Sequence, residues 1–258
     1  MNEPLSFSPG IALAVASGKG GVGKSTVAVN LAAALAAEGA AVGLLDADLY
    51  GPNIPLMLGM DGPLRAENGQ VVPREQYGLK VISMGFLIAE DEPLVWRGPK
   101  LTAIINEFLR DVAWGDLDYL LVDLPPGTGD VHLSLMGALK LDGAIVVTTP
   151  QQTALADVSR NIAMFRQAGV PVLGVIENMA GLVCPHCGEQ INVFGRATKE
   201  AIEARLGAPI LGEIPIDPQV GVCGDDGHPV VLAAPESVAS QSFYAIRAKV
   251  TAWIPAPV

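Results

Sequence analysis

The strongest constraint on this chain is a glycine-rich loop between an apolar run at residues 11–16 and a helical pattern that starts near Val27. Its nine residues read GKGGVGKST and satisfy the spacing G-x-x-x-x-G-K-[ST]. Glycines allow positive φ angles, so that successive backbone N–H groups face a phosphate above a helix N-terminus. We therefore predict a phosphate-binding loop in which Lys24 reaches the β and γ phosphates and Ser25 offers its hydroxyl to Mg²⁺. The candidate nucleotide-binding residues are Gly18, Lys19, Gly20, Gly21, Val22, Gly23, Lys24, Ser25 and Thr26.

The same glycines also fit a second phosphate-binding pattern. Gly18, Gly20 and Gly23 satisfy the G-x-G-x-x-G spacing of dinucleotide-binding folds. That alternative does not require the two lysines, and a merely flexible loop does not explain why Lys24 and Ser25 open a helix. The triphosphate interpretation accounts for more of the residues present.

Strand-like and helix-like segments take turns along the chain. Continuous rather than alternating apolar runs are typical of parallel strands whose two faces are both covered by helices. We predict an α/β fold with a doubly wound, mostly parallel sheet and helices on both faces, formed by one domain over residues 1–258. The predicted strands lie at 11–16, 41–47, 79–84, 118–124, 143–149, 171–178 and 208–214, and the predicted helices at 27–37, 101–112, 154–167 and 197–205.

Acidic residues stand at the ends of two predicted strands. Asp46 and Asp48 follow the second strand, and Asp123 ends the buried run LLVD. Since ligands of such sheets bind at the carboxyl ends of the strands, these carboxylates are placed to hold a hydrated Mg²⁺ and to orient a water. Each alone is also compatible with an ordinary turn or cap residue.

The chain has three cysteines, two of them in the sequence CPHCG at residues 184–188. A redox-active pair would need Cys184 at a helix start, which the flanking residues do not indicate. Proline and glycine after the two thiols instead favour a tight knuckle whose backbone N–H groups face the sulfurs of Cys184 and Cys187. Two thiolates do not complete a tetrahedral site, so either zinc with other ligands or a second pair across a twofold axis is needed; four sulfurs suffice for a [4Fe-4S] cluster. We expect Cys223 to be an ordinary buried or partly buried thiol in a loop.

Composition excludes some classes of partner. The formal charge of −11 argues against nucleic-acid binding, and no apolar run approaches the roughly 18 residues of a membrane span. No basic segment precedes an apolar one near residue 1, so we expect a cytoplasmic protein without a secretory signal. The absence of an Asn-Lys-x-Asp stretch lowers the expectation of guanine recognition and favours ATP.

The loop GKGGVGKST resembles the deviant Walker A motif of the MinD, ParA and nitrogenase iron-protein class of P-loop NTPases, also called SIMIBI-type. The resemblance implies a homodimer in which Lys19 acts on the ATP of the partner subunit. It also implies that Asp48 positions the attacking water, that Asp46 touches the metal through water and that Asn178 contacts adenine. The segment DLPPGTGD resembles the second switch of this class, in which Gly127 responds to the γ phosphate.

A narrower resemblance runs from about residue 10 to residue 250. The segments DADLYGPNIP, MGFLIAEDEPLVWRGP, LDYLLVDLPPGTGD, TTPQQTALADV and ENMAGLVCPHCG are similar to those of the Mrp/ApbC family of iron-sulfur cluster carrier ATPases. This resemblance implies that ATP binding and hydrolysis are coupled to transfer of a [4Fe-4S] cluster onto apo iron-sulfur proteins. We also expect slow hydrolysis by a single chain, because the site needs Lys19 from a second one. Cys184 and Cys187 would bridge this cluster in a homodimer, with residues 181–195 as an insertion at the dimer interface. Two alternatives stay open: a structural zinc at the cysteine pair, and a MinD- or ParA-like positioning ATPase.

Overall fold

A computed structural model describes residues 9–48, 51–87, 103–104, 107–184, 186–194 and 199–253. Within these residues, nine strands form one sheet in the order β10-β9-β8-β1-β7-β2-β6-β5, with β11 paired to β9. The pairs among β1, β2, β6, β7, β8, β9 and β11 are all parallel, whereas β5 and β10 add antiparallel edges. The strands are β1 Ile11–Ser17, β2 Val42–Asp46, β3 Arg65–Glu67, β4 Gln70–Val72, β5 Arg74–Gln76, β6 Leu79–Ser83, β7 Tyr119–Asp123, β8 Gly143–Thr148, β9 Val172–Val183, β10 Gln190–Ile191 and β11 Ile210–Ile216.

Helices cover both faces of this sheet. They are α1 Lys24–Ala36, α2 Ile54–Met57, α3 Asp130–Ala138, α4 Gln152–Gln167, α5 Lys199–Leu206, α6 Pro218–Asp225, α7 Val230–Ala233 and α8 Val238–Trp253, with a 3₁₀ turn at Met84–Leu87 and helical residues at 103–104 and 107–110. One apolar core lies under α4 and α5, and the other lies under α1, α7 and α8. The two cores explain the continuous apolar strands and confirm the doubly wound prediction.

The predicted strands are confirmed to within a few residues, with one informative difference. Asn178, predicted at a strand end, lies in the middle of β9, which continues to Val183. The extension exists because β11 pairs with β9 as far as Leu182, while β10 folds back onto Leu182 and Val183. The predicted insertion 181–195 therefore begins as part of the sheet, and its last residue lies outside the described residues.

Short elements were not predicted. The hairpin of β3 and β4 forms a separate two-stranded sheet, and β5 is a three-residue edge strand on β6. These segments are exposed or half-buried, so they lack the apolar runs by which the buried strands are recognised. Residues 49–50 of the first switch motif, residues 88–102 and the predicted helix start at 197 lie outside the described residues.

Candidate nucleotide site and cysteine hairpin

The glycine loop connects the end of β1 to the start of α1. Gly23 precedes the helix with φ 81°, a left-handed conformation that favours glycine, and its carbonyl accepts from the Val27 amide at 2.9 Å. A side chain on Gly18 would overlap Asp157 of α4, whose carbonyl carbon would lie only 2.6 Å away. The loop therefore packs closely on α4, and at Gly18 this packing leaves no room for a side chain.

Lys24 is buried among carboxylates. Its ammonium donates to Asp123 at 2.8 Å and lies 3.3 Å from Asp48, and the residue is 6% exposed. The Ser25 hydroxyl donates to the other oxygen of Asp123 at 2.6 Å. The residues predicted to serve the phosphates and the metal therefore converge and contact one another.

Asp46 completes the acidic group. It stands directly opposite Asp123 in the register of β2 and β7, and it accepts from the Ser83 hydroxyl at 2.7 Å. Burial, followed by the neighbouring charge of Asp123, raises the pKa of Asp46 to about 8. Burial also raises the pKa of Asp123, against the opposing effect of Lys24.

The acidic group fits a divalent cation. Asp46, Asp48 and Asp123 are three carboxylates near the ammonium of Lys24, and the charge of Asp123 adds to the effect of burial in raising the pKa of Asp46. Among the described residues no three His, Cys, Asp or Glu side chains form a ready metal cage. Mg²⁺ does not need one, because it is usually held by one or two protein oxygens together with substrate phosphates and waters.

The segment after β7 is tied to the glycine loop. The Gly127 amide donates to the Ser17 carbonyl at 2.9 Å, with Gly127 at φ 93°. The Gly129 amide donates to Nδ1 of His132 at 3.2 Å, and burial lowers the pKa of this histidine. His132 was not predicted, because a lone histidine on a helical segment has no spacing pattern that marks it.

Lys19 has a partner within its own chain. Its ammonium donates to Oε1 of Gln151 at 2.9 Å, just before α4. Gln151 was also not predicted, since its role depends on the approach of two loops 132 residues apart. The expected contact of Lys19 with a partner subunit stays a prediction.

Asn178 reaches the glycine loop from β9. Its Nδ2 donates to the Val22 carbonyl at 2.9 Å, and a side chain on Gly23 would overlap the same nitrogen. The expected contact with adenine stays a prediction, but the side chain does lie at the predicted nucleotide site.

The cysteine pair lies at the tip of the β9–β10 hairpin. The Cys184 amide donates to the Glu189 carbonyl and the Gly188 amide to the Cys184 carbonyl, each at 2.9 Å. Hydrogen bonds to sulfur from the backbone amides of Cys187 and His186, together with the Cys187 side chain, lower the pKa of Cys184. This is the predicted knuckle for the Cys184 sulfur; both thiols are free, Cys184 half-buried and Cys187 exposed.

Cys223 corrects one expectation. It lies on helix α6 rather than in a loop, because Pro218 and the Asp217 cap start a helix there. The expected burial is confirmed, and burial raises the pKa of this thiol. No group of three metal-binding side chains within the described residues joins it to the hairpin.

Among the helices of the described residues, none combines the length and the apolar content needed to cross a lipid bilayer.

Comparison with known proteins agrees with this geometry. The family model described as ParA, NUBPL iron-transfer P-loop NTPase matches residues 10–251. The chain is 50% identical over 237 residues to the iron-sulfur cluster carrier protein of Aquifex aeolicus and 54% identical over 235 residues to that of Deinococcus radiodurans. These alignments cover 91% and 90% of the chain but only 65% and 66% of the two relatives.

Solved structures agree with the fold. A nucleotide-binding protein of Archaeoglobus fulgidus in complex with ADP is 40% identical, with a TM-score of 0.78 and coverage of 91% of this chain and 92% of that one. The septum site-determining protein MinD of Pyrococcus horikoshii with Mg-ADP is 25% identical, with a TM-score of 0.70 and coverage of 94% and 96%.

Proposed function

Because the chain belongs to the NUBPL family of iron-transfer P-loop NTPases, we propose that it binds and hydrolyses ATP and carries a [4Fe-4S] cluster to apo iron-sulfur proteins in the cytoplasm. One observation carries the proposal: the chain combines a phosphate loop, whose lysine and serine meet a buried aspartate, with an accessible pair of thiols. The relatives named as cluster carriers and the ADP complex of the A. fulgidus protein support the two halves separately.

At the nucleotide site, the loop amides and Lys24 hold the phosphates of ATP. Lys24 then exchanges its contacts with Asp123 and Asp48 for phosphate oxygens, which frees both carboxylates. Ser25 and Asp123, with Asp46 through water, would hold Mg²⁺, which neutralises charge that develops on the phosphates. Asp48 orients the attacking water, and Lys19 of one subunit reaches the ATP of the other.

At the hairpin, Cys184 and Cys187 supply two thiolates. Hydrogen bonds from the hairpin amides favour the thiolate of Cys184, the form that binds iron. The cluster needs two more sulfurs, which a second copy provides across a twofold axis. The exposed apolar side chains that follow the pair, Ile191, Val193 and Phe194, suit burial in such a dimer.

The test is anaerobic reconstitution with iron and sulfide, followed by the visible spectrum, metal counting and the mass in solution. We expect a coloured dimer with four irons per two chains and loss of iron in Cys184→Ala and Cys187→Ala. Cys223→Ala, which removes a buried thiol on α6, should cause no loss. A colourless protein that retains zinc would favour a structural zinc site at the cysteine pair over the cluster. ATP hydrolysis without any metal at the pair would favour a positioning ATPase.

A further inference from the structure

The side chain of Asn178 fits closely against the glycine loop. Its Nδ2 donates to the Val22 carbonyl, and the space at Gly23 admits no side chain beside it. Asn178 and Val22 are both buried, and their hydrogen bond joins β9 directly to the loop. A change of the Val22–Gly23 peptide on phosphate binding must therefore displace Asn178 or break this hydrogen bond.

The next residue of β9 is in a strained conformation. Met179 has φ 55°, a left-handed value that is rare for a residue other than glycine. The strand is irregular at the same place: Ile214 and Ile216 of β11 pair with Asn178 and Leu182, so that one intervening residue on β11 stands against three on β9. An irregularity of this kind bends a strand and redirects the residues that follow.

The strained segment leads directly to the thiols. Leu182 and Val183 pair with Ile191 and Gln190 in the hairpin, and Cys184 follows at once. Cys184 stands six residues after Asn178, directly beyond the end of β9 at Val183. Between them, the pairing of β9 with β11 is irregular from Asn178 to Leu182.

We propose that Asn178 and the left-handed Met179 couple the glycine loop to the cysteine pair, so that nucleotide at the loop alters the hairpin and the access to Cys184 and Cys187. The proposal rests on the proposed function insofar as the loop must bind nucleotide. The physical basis is that a strained residue held by its surroundings has a second, relaxed conformation, and nucleotide shifts the balance by acting on Val22. Asn178 acts here as a positioning residue, and Met179 acts as the hinge.

The experiment measures thiol alkylation in the reduced, cluster-free chain. The rate of alkylation by iodoacetamide is measured with and without saturating Mg-ADP. Peptide mass spectrometry follows the reaction of Cys184 and that of Cys187 separately. We expect nucleotide to change their rates by about fivefold, at the lower end of usual coupling between two sites. Cys223, buried on α6, serves as the internal reference.

Two substitutions of Met179 distinguish the effect of its backbone strain from the effect of its side chain. Met179→Gly relieves the left-handed strain and should reduce the nucleotide effect to less than twofold while ADP affinity, measured by calorimetry, is retained. Met179→Ala removes the side chain but keeps the disfavoured φ, and it should preserve the effect. Asn68→Gly relieves a φ of 52° in the separate β3–β4 hairpin and should change nothing.

Several results would overturn the coupling. The first is an equal alkylation rate with and without nucleotide in a protein that binds ADP. The second is a nucleotide effect on this rate that survives in Met179→Gly. The third is a nucleotide effect that grows with protein concentration, which indicates shielding of the thiols in a dimer. Failure of the proposed function would give different results: the protein would not bind ADP, or the pair Cys184 and Cys187 would take up no iron.

Discussion

The Lys19 ammonium donates a hydrogen bond of 2.9 Å to the side-chain carbonyl of Gln151 in its own chain. To reach the ATP of a partner subunit, Lys19 must leave Gln151, and the gain at the phosphate has to exceed the loss of one partly buried hydrogen bond. A hydrogen bond to a charged group contributes about 1.5–3 kcal/mol, which is the loss that contacts with a triphosphate have to offset. Gln151 thus holds the lysine in the separate subunit.

Lys19→Ala should lower the ATPase rate at saturating ATP by about 10³-fold, the lower end of the effect of a cation supplied across an interface in phosphoryl transfer. Affinity for ADP should change little, because Lys19 does not contact the nucleotide of its own subunit in the proposed arrangement. Steady-state hydrolysis and calorimetry measure the two quantities. Lys140→Ala, at an exposed site, is the matched control; an unchanged rate in Lys19→Ala would remove the role in trans.

Asp48→Asn should separate binding from hydrolysis. If Asp48 orients the attacking water, the Asp48→Asn substitution should reduce the rate of ATP hydrolysis by about 100-fold or more. The affinity for ADP should stay within a few-fold of that of the original chain. Asp123→Asn provides the contrast, because Asp123 contacts both Lys24 and Ser25 and its loss should weaken Mg²⁺-dependent nucleotide binding. Equal losses of affinity in the two variants would contradict the separate roles.

Gly18→Ala and Gly20→Ala should differ in stability. A side chain at position 18 would overlap Asp157, whereas nothing lies within 4 Å of one at position 20. We expect Gly18→Ala to lower the free energy of unfolding by about 1–3 kcal/mol, as overpacking does. Gly20→Ala should stay within about 0.5 kcal/mol of the original. Thermal unfolding without nucleotide checks both, and comparable losses would contradict the close packing of the loop on α4.

His132 should make the fold sensitive to acid. Burial lowers its pKa in the folded state, so the unfolded chain takes up a proton first as the pH falls. The contribution to stability is complete above about pH 6.5, the ordinary value for histidine, and is lost as the pH falls below it. The slope from this residue cannot exceed about 1.4 kcal/mol per pH unit, the value for one proton.

Unfolding measured between pH 7.5 and 5.5 tests this expectation. His132→Gln keeps an acceptor for the Gly129 amide and should show a shallower pH dependence than the original chain. His186→Gln, at an exposed position in the hairpin, should retain the original slope. A slope unchanged in His132→Gln would assign the pH dependence to other groups.

Local patterns in the chain were sufficient to predict the sheet strands, the position of the glycine loop between β1 and α1, and the tight turn at Cys184. Each depends on neighbours in sequence: apolar runs bury strands, glycines before Lys24 and Ser25 prepare a helix start, and the residues between two thiols shape a turn. The carboxylates were predictable too, because parallel strands bring Asp46 and Asp123 to one edge.

Only the tertiary structure decided which distant residues meet. Three contacts join segments more than 130 residues apart: Lys19 with Gln151, Gly18 with Asp157, and Val22 with Asn178. The length of β9 and its left-handed residue were equally hidden, since both depend on pairing with β10 and β11 rather than on local preference. Short sequence motifs thus identify the candidate site residues, while the contacts that connect these residues arise from the packing of distant segments.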